Sequence, residues 1–183
     1  MKTPLYRLLA TALIVVVPAL VTRAESPGMV DFGKFTAPGN GSEFVEVQVR
    51  SNLINFAATL VEKEEPDAAK LLRSVQLVRV NVIGLTDTNR EEMQKRVKDI
   101  RQNLENSGWE RNVNVQGKDG EDVGVYIQMQ GSTSLAGVAV TVIDRQNMVL
   151  VNLVGDIRPE QIASLGEKLN IQPLKKIGEA VKQ

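Results

Sequence analysis

Catalysis in this chain would have to come from carboxylates, hydroxyls, lysines or tyrosines, because its 183 residues include no cysteine and no histidine. That removes Ser-His-Asp and Cys-His nucleophilic chemistry, disulfides, and the thiolate or imidazole ligands that nearly all zinc enzymes use. A carboxylate pair can hydrolyse a glycoside. Such clefts are usually lined with aromatic rings, however, and this chain is 4% aromatic. Asp119, Glu121 and Asp122 cluster in one short segment, where oxygen ligands suit a hard cation. Their spacing is not that of a calcium loop, so they read as an acidic turn, and no metal or other cofactor is expected. Gly84 and Gly155 stand alone, without the other glycines or the Lys-Ser/Thr pair of a phosphate-binding loop.

Lys95, Arg96, Lys98 and Arg101 share one helical segment. A nucleic-acid contact would need a stripe of one sign. Here Glu91 and Glu92 stand four residues before Lys95 and Arg96, the spacing of helix-stabilising ion pairs. The segment therefore reads as a solvated face. The only aromatics expected in the folded domain are Phe44, Phe56, Trp109 and Tyr126, too few for a base-stacking platform.

More informative are the segments that alternate. Val78, Val80, Val82, Val125, Ile127, Val138, Val140 and Val142 recur at every second position and predict the core face of a sheet. The positions between them hold Arg79, Asn81, Tyr126, Gln128, Gln130, Thr141 and Asn152, which are polar but scarcely charged. That face reads either as plain solvated sheet or as a recognition surface. In the second case a partner would dock on Tyr126, Gln128, Thr141, Asn152, Asn81 and Arg79. Val140→Asp is then expected to unfold the domain and Thr141→Asp to be tolerated.

These residues need elements to carry them. Strands are predicted over 44–49 and 75–85. A helix with Leu53, Ile54, Phe56, Ala57, Leu60 and Val61 lies between them, and Pro66 opens a second helix. Thr88 to Glu91 has the spacing of a capping box. The helix it opens carries Met93, Val97, Ile100 and Leu104, and Gly108 supplies its C-terminal cap. Four strands with short turns follow from Trp109 to Val154, so they must be antiparallel neighbours. Pro159 and Pro173 open two last helices. The fold class is α+β: a mainly antiparallel sheet with helices packed on one face. Val80-Asn81-Val82-Ile83-Gly84 echoes Val151-Asn152-Leu153-Val154-Gly155, which fits either a duplicated unit or convergent strand-exit chemistry.

Lys2 and Arg7, an uncharged run from Leu8 to Val21, and Thr22-Arg23-Ala24 read together as a secretory signal peptide. An uncut membrane anchor is the other reading. Cleavage after Ala24 removes Lys2, Arg7 and Arg23 and no acid, leaving 19 basic and 22 acidic groups, net −3. No second apolar run follows, so the mature chain is expected to be free of stable membrane insertion, and its charge exerts no pull on nucleic acid. Residues 25–42, rich in Gly, Pro and Ser, read as a flexible leader whose Phe32 and Phe35 dock on the domain, and 43–183 as one domain.

From about Phe44 to Val181 the chain resembles the bacterial family known as domain of unknown function 4252. The carriers are Val78-Arg79-Val80-Asn81-Val82-Ile83-Gly84-Leu85, Gly108-Trp109-Glu110, Val125-Tyr126, Gly137-Val138, and Val149-Leu150-Val151-Asn152-Leu153-Val154-Gly155-Asp156-Ile157. The resemblance implies export in bacteria and no activity or site. Some members look like lipoproteins, and this chain departs from them in having no cysteine to acylate. The first expectation is a non-catalytic exported module of the periplasm or cell surface that binds an envelope protein or other envelope component. The alternatives are a small carboxylate-dependent hydrolase and a regulatory partner of an envelope signalling protein.

Overall fold

The structure is a computed structural model and describes residues 26–39, 41–118, 120–158 and 161. The segment read as a signal peptide, the helices read from Pro159 and Pro173, and Asp119 lie outside the described residues. The elements run β1 (Phe44–Arg50), α1 (Ser51–Val61), α2 (Pro66–Ser74), β2 (Val75–Gly84), α3 (Arg90–Asn106), β3 (Glu110–Gln116), β4 (Asp122–Gln130), β5 (Ser134–Ile143) and β6 (Asn147–Ile157). The six strands make one sheet in the order β1-β2-β6-β5-β4-β3, with every neighbouring pair antiparallel. The expected α+β class and the four antiparallel C-terminal strands are both present.

Register explains the core. Val47, Val80, Val151, Val140, Val125 and Val113 lie opposite one another in turn and form an apolar row across all six strands. Because strand side chains alternate, their neighbours point the other way. On the valine face, Ile54 of α1 and Leu71 of α2 pack with Val125, Val138, Val140 and Leu153. On the opposite face, Met93, Val97, Ile100 and Leu104 of α3 pack with Tyr126, Ala139, Met148 and Leu150. Helices therefore cover both faces, not one. β5 and β6 already show why: Leu135 to Ile143 and Met148 to Val154 are nearly unbroken apolar runs, as strands buried on both faces require.

Two helix ends differ in how closely they follow their sequence signals. At the C-terminus of α3, Trp109 N donates to Leu104 O at 3.0 Å and Gly108 N to Glu105 O at 3.2 Å. This paired pattern needs a left-handed residue between, and Gly108 has φ 80°. It seats Trp109 on Leu104 in the same apolar cluster. At the N-terminus the capping box is not formed. Asn89 is the cap residue, but its side chain turns back to the strand exit: Oδ1 accepts from Thr86 N at 2.7 Å and Nδ2 donates to Gly84 O at 3.0 Å. Tying the β2–α3 loop outweighs capping the helix here.

The segment expected to be a flexible leader is built into the second face. Val30 and Phe32 are buried with α3 and the sheet. Gly28 and Gly137 allow this, because a Cβ on either would run into the backbone of the other segment, the leader or β5. The packed structure thus begins before residue 43.

Candidate functional site

The six residues expected to form an open docking face do share one face, since Arg79 pairs with Asn152 and Tyr126 with Ala139 in register. The face is not open. Tyr126, Thr141 and Asn152 are fully buried and Asn81 nearly so, while Arg79 and Gln128 are half-buried. The correction has a plain cause: the polar groups serve the leader and α3. Asn152 Oδ1 accepts from Val30 N at 3.0 Å, and Nδ2 donates to Gly28 O at 3.0 Å and Val138 O at 3.3 Å. Arg79 donates to Val30 O at 3.2 Å. Thr141 Oγ1 accepts from Arg101 Nε at 2.9 Å, and the same guanidinium meets Asp122 Oδ2 at 2.8 Å.

The basic helix is corrected in the same way. Arg101 points at the sheet. Arg96, expected to pair with Glu92, donates to Lys34 O at 2.8 Å and lies over the Phe35 ring, 4.1 Å from its centre. Of the acidic turn, Asp122 is the partner of Arg101, and among the described residues no three carboxylates gather as metal ligands would.

Tyr126 Oη is buried without a hydrogen-bond partner. Burial pushes its phenol above the ordinary value, outweighing the opposing field of Arg101. A raised folded-state value means that the folded chain holds this proton more tightly than the unfolded chain does. Its contribution to stability is therefore complete below the unfolded value of about 10 and is lost as pH rises above it. Tyr126→Phe should hold or raise stability at neutral pH, by about 1 kcal/mol, because it removes an unsatisfied group. It should also blunt the alkaline loss. Melts at neutral and alkaline pH check both, and a lower melting temperature at neutral pH would give the hydroxyl a structural role.

An open cleft of about 730 Å³ lies between α2 and the end of β6, lined by Glu64, Glu65, Asp67, Asp156, Lys70 and Arg158 among others. It is the place a carboxylate-dependent hydrolase would use. A general acid needs a desolvated carboxyl to keep its proton near neutrality. All four of these carboxylates are exposed.

The surface feature that sequence reasoning missed is on α1. Ile54 and Ala58 face the core, while Leu53, Phe56 and Leu60 are 56%, 61% and 67% exposed. Three large apolar side chains at i, i+3 and i+7 make one stripe along the helix. The stripe lies on the flank away from α2, because Glu62, on the other flank, is held by Arg73 of α2 through two bonds of 2.9 and 2.8 Å. α1 packs over β1 and β2, and α2 over β2 and β6, so α1 is the helix nearer the β1 edge, and its stripe points outward from the sheet on that side. There Val45 and Val47 are 37% and 41% exposed. The signal was present in the sequence: α1 has apolar residues on more of its circumference than one core face needs.

The family model described as "Domain of unknown function (DUF4252)" matches residues 39–165. The chain belongs to this family. Gly84, Trp109 and Asn152, which carried the resemblance, all lie inside the match and all serve the fold described above. Neither a curated protein nor a solved structure matches the chain.

Proposed function

We propose that this family member is an exported, non-catalytic module of the bacterial envelope that works by binding another envelope component through α1 and β1. The observation that carries the reading is the exposed stripe of Leu53, Phe56 and Leu60 beside the exposed valines of β1. Contiguous large apolar side chains at a surface mark interaction sites more often than isolated ones do. Export is supported by Lys2, Arg7 and the uncharged run that ends at Thr22-Arg23-Ala24.

The test is capture of the partner from envelope extract by the exported chain, whose mass should correspond to a start at Glu25. A Phe56→Lys, Leu60→Lys double change should leave the melting temperature nearly unaltered, because both side chains are exposed. It should weaken capture more than tenfold, about 1.4 kcal/mol. Equal capture by the folded variant would remove α1 as the surface, and a chain retaining Met1 to Ala24 would replace secretion with anchoring.

A further inference from the structure

We infer that the α1–β1 surface pairs with the same surface of a second copy of this chain, joining two sheets edge to edge about a two-fold axis at Val47. This rests on the reading of that surface as the binding site and names its occupant. The two edges of the sheet are unlike. β3 meets β4 with a break in register between Arg111 and Val113, a common way of blunting an edge. β1 meets β2 over seven consecutive pairs without a break, and it holds no Lys or Pro. It is a regular edge of the kind that accepts another strand.

Its outward groups are fixed by its inner ones. Gly84 N donates to Glu43 O at 2.7 Å, one step before the Phe44–Ile83 pair. Backbone groups alternate in direction along an antiparallel strand. The N–H and C=O of Phe44, Glu46, Gln48 and Arg50 therefore point away from β2. Antiparallel pairing of two β1 strands about Val47 sets residue 46 opposite 48 and residue 44 opposite 50, so every outward group meets an outward group.

The side chains suit the same register. On the helix face, Val47 meets its own copy and Val45 meets Val49. On the other face, Glu46 lies opposite Gln48 and diagonal to both Arg50 and Glu46 of the second copy, and the longer Arg50 side chain can reach between the two carboxylates. Shifting the axis to Glu46 would set two glutamates directly opposite. The Gln48 amide, oriented with its oxygen toward Arg50, accepts from Nε and Nη2 at 2.9 Å and holds the guanidinium along the edge. Above the junction the two α1 helices are the nearest helices to one another, each bringing its exposed Leu53, Phe56 and Leu60 to the same side of the joined sheet.

Sedimentation equilibrium of the full exported chain tests this, with a dimer expected at micromolar concentration. Gln48→Pro removes an outward N–H and none that bonds to β2, and edge strands accept proline. It should give a folded monomer, as should Phe56→Lys with Leu60→Lys. Glu46→Arg should weaken the dimer at least tenfold, and adding Arg50→Glu should restore it. A folded monomer at a hundredfold higher concentration would overturn the proposal, and so would a dimer indifferent to these changes. If the chain is monomeric while the α1 variant still loses capture from extract, the second copy is wrong and the binding surface stands. If it is monomeric and capture is unchanged, both fall.

Discussion

Val140→Asp should leave the chain unfolded at neutral pH. Val140 is 1% exposed and sits in the middle of the cross-sheet valine row, with Val151 and Val125 opposite it on the two neighbouring strands. The new carboxylate would be surrounded by hydrocarbon, with no donor in the apolar cluster. An unpaired buried charge costs several kcal/mol, a large part of the roughly 5–15 kcal/mol that holds a domain together. Thr141→Asp, which would be tolerated on a solvated face, should now be damaging as well, because Thr141 is fully buried under α3. Its damage should be smaller, since Arg101 Nε is 2.9 Å from the Thr141 hydroxyl and supplies a counter-charge, although Asp122 already holds that guanidinium. Asn114→Asp, on the exposed edge strand β3, is the control. Circular dichroism melts should rank the three as Val140→Asp worst, Thr141→Asp next and Asn114→Asp near the unaltered chain. A tolerated Thr141→Asp would mean that α3 and the leader leave this face in solution.

The contrast between those two positions shows where the sequence was legible. Alternation placed the strands, and register then put Val78, Val80, Val125, Val138 and Val140 on one face, as the pattern demanded. Short turns forced the antiparallel order. What alternation does not give is the state of the other face. Asn81, Thr141 and Asn152 look like solvated positions when judged by polarity alone. Yet they stand among Ile83, Ala139, Ile143, Met148 and Leu150, which point the same way and are buried. Three polar side chains in such company are better explained as ties to a covering segment, since buried polar groups need partners.

The covering segment was the harder part. Residues 26–36 carry the Pro and Gly content of a linker, and the bonds that hold them come from more than a hundred residues away in the case of Asn152. Phe32 and Phe35 gave the one local hint, and they do dock: Phe32 is 2% exposed, and Phe35 lies under Arg96. The α1 stripe was missed for the opposite reason. Its apolar residues read only as evidence of a helix, and their spacing does not say how many of them one buried side can take. Ile54 and Ala58 fill that side, and Leu53, Phe56 and Leu60 were surplus to it.

Asn152→Asp should free the leader from the sheet while most of the domain keeps its fold. The Asn152 amide uses both ends: its oxygen takes the Val30 N–H, and its nitrogen gives to Gly28 O and Val138 O. A carboxylate can still accept from Val30 but can give nothing, and it would face two carbonyl oxygens at about the present separations. Leaving such groups unpaired costs about 1–3 kcal/mol each, more when one is charged. Lifting residues 26–36 into water relieves that cost, and it forfeits the burial of Val30 and Phe32, worth about 1.5–3 kcal/mol apiece. The two costs are similar in size, so destabilisation of several kcal/mol and a partly detached leader are expected together. The chain's only tryptophan reports on this directly, because Trp109 is 7% exposed in the same cluster as Val30 and Phe32. Its emission should shift to the red in the variant, and a protease should cut within residues 26–36 while β4, β5 and β6 stay protected. Asn152→Leu, which loses the bonds without adding charge, should show the same changes to a smaller degree. An Asn152→Asp chain with unshifted emission and a protected leader would show that the apolar contacts of Val30 and Phe32 alone hold the segment down.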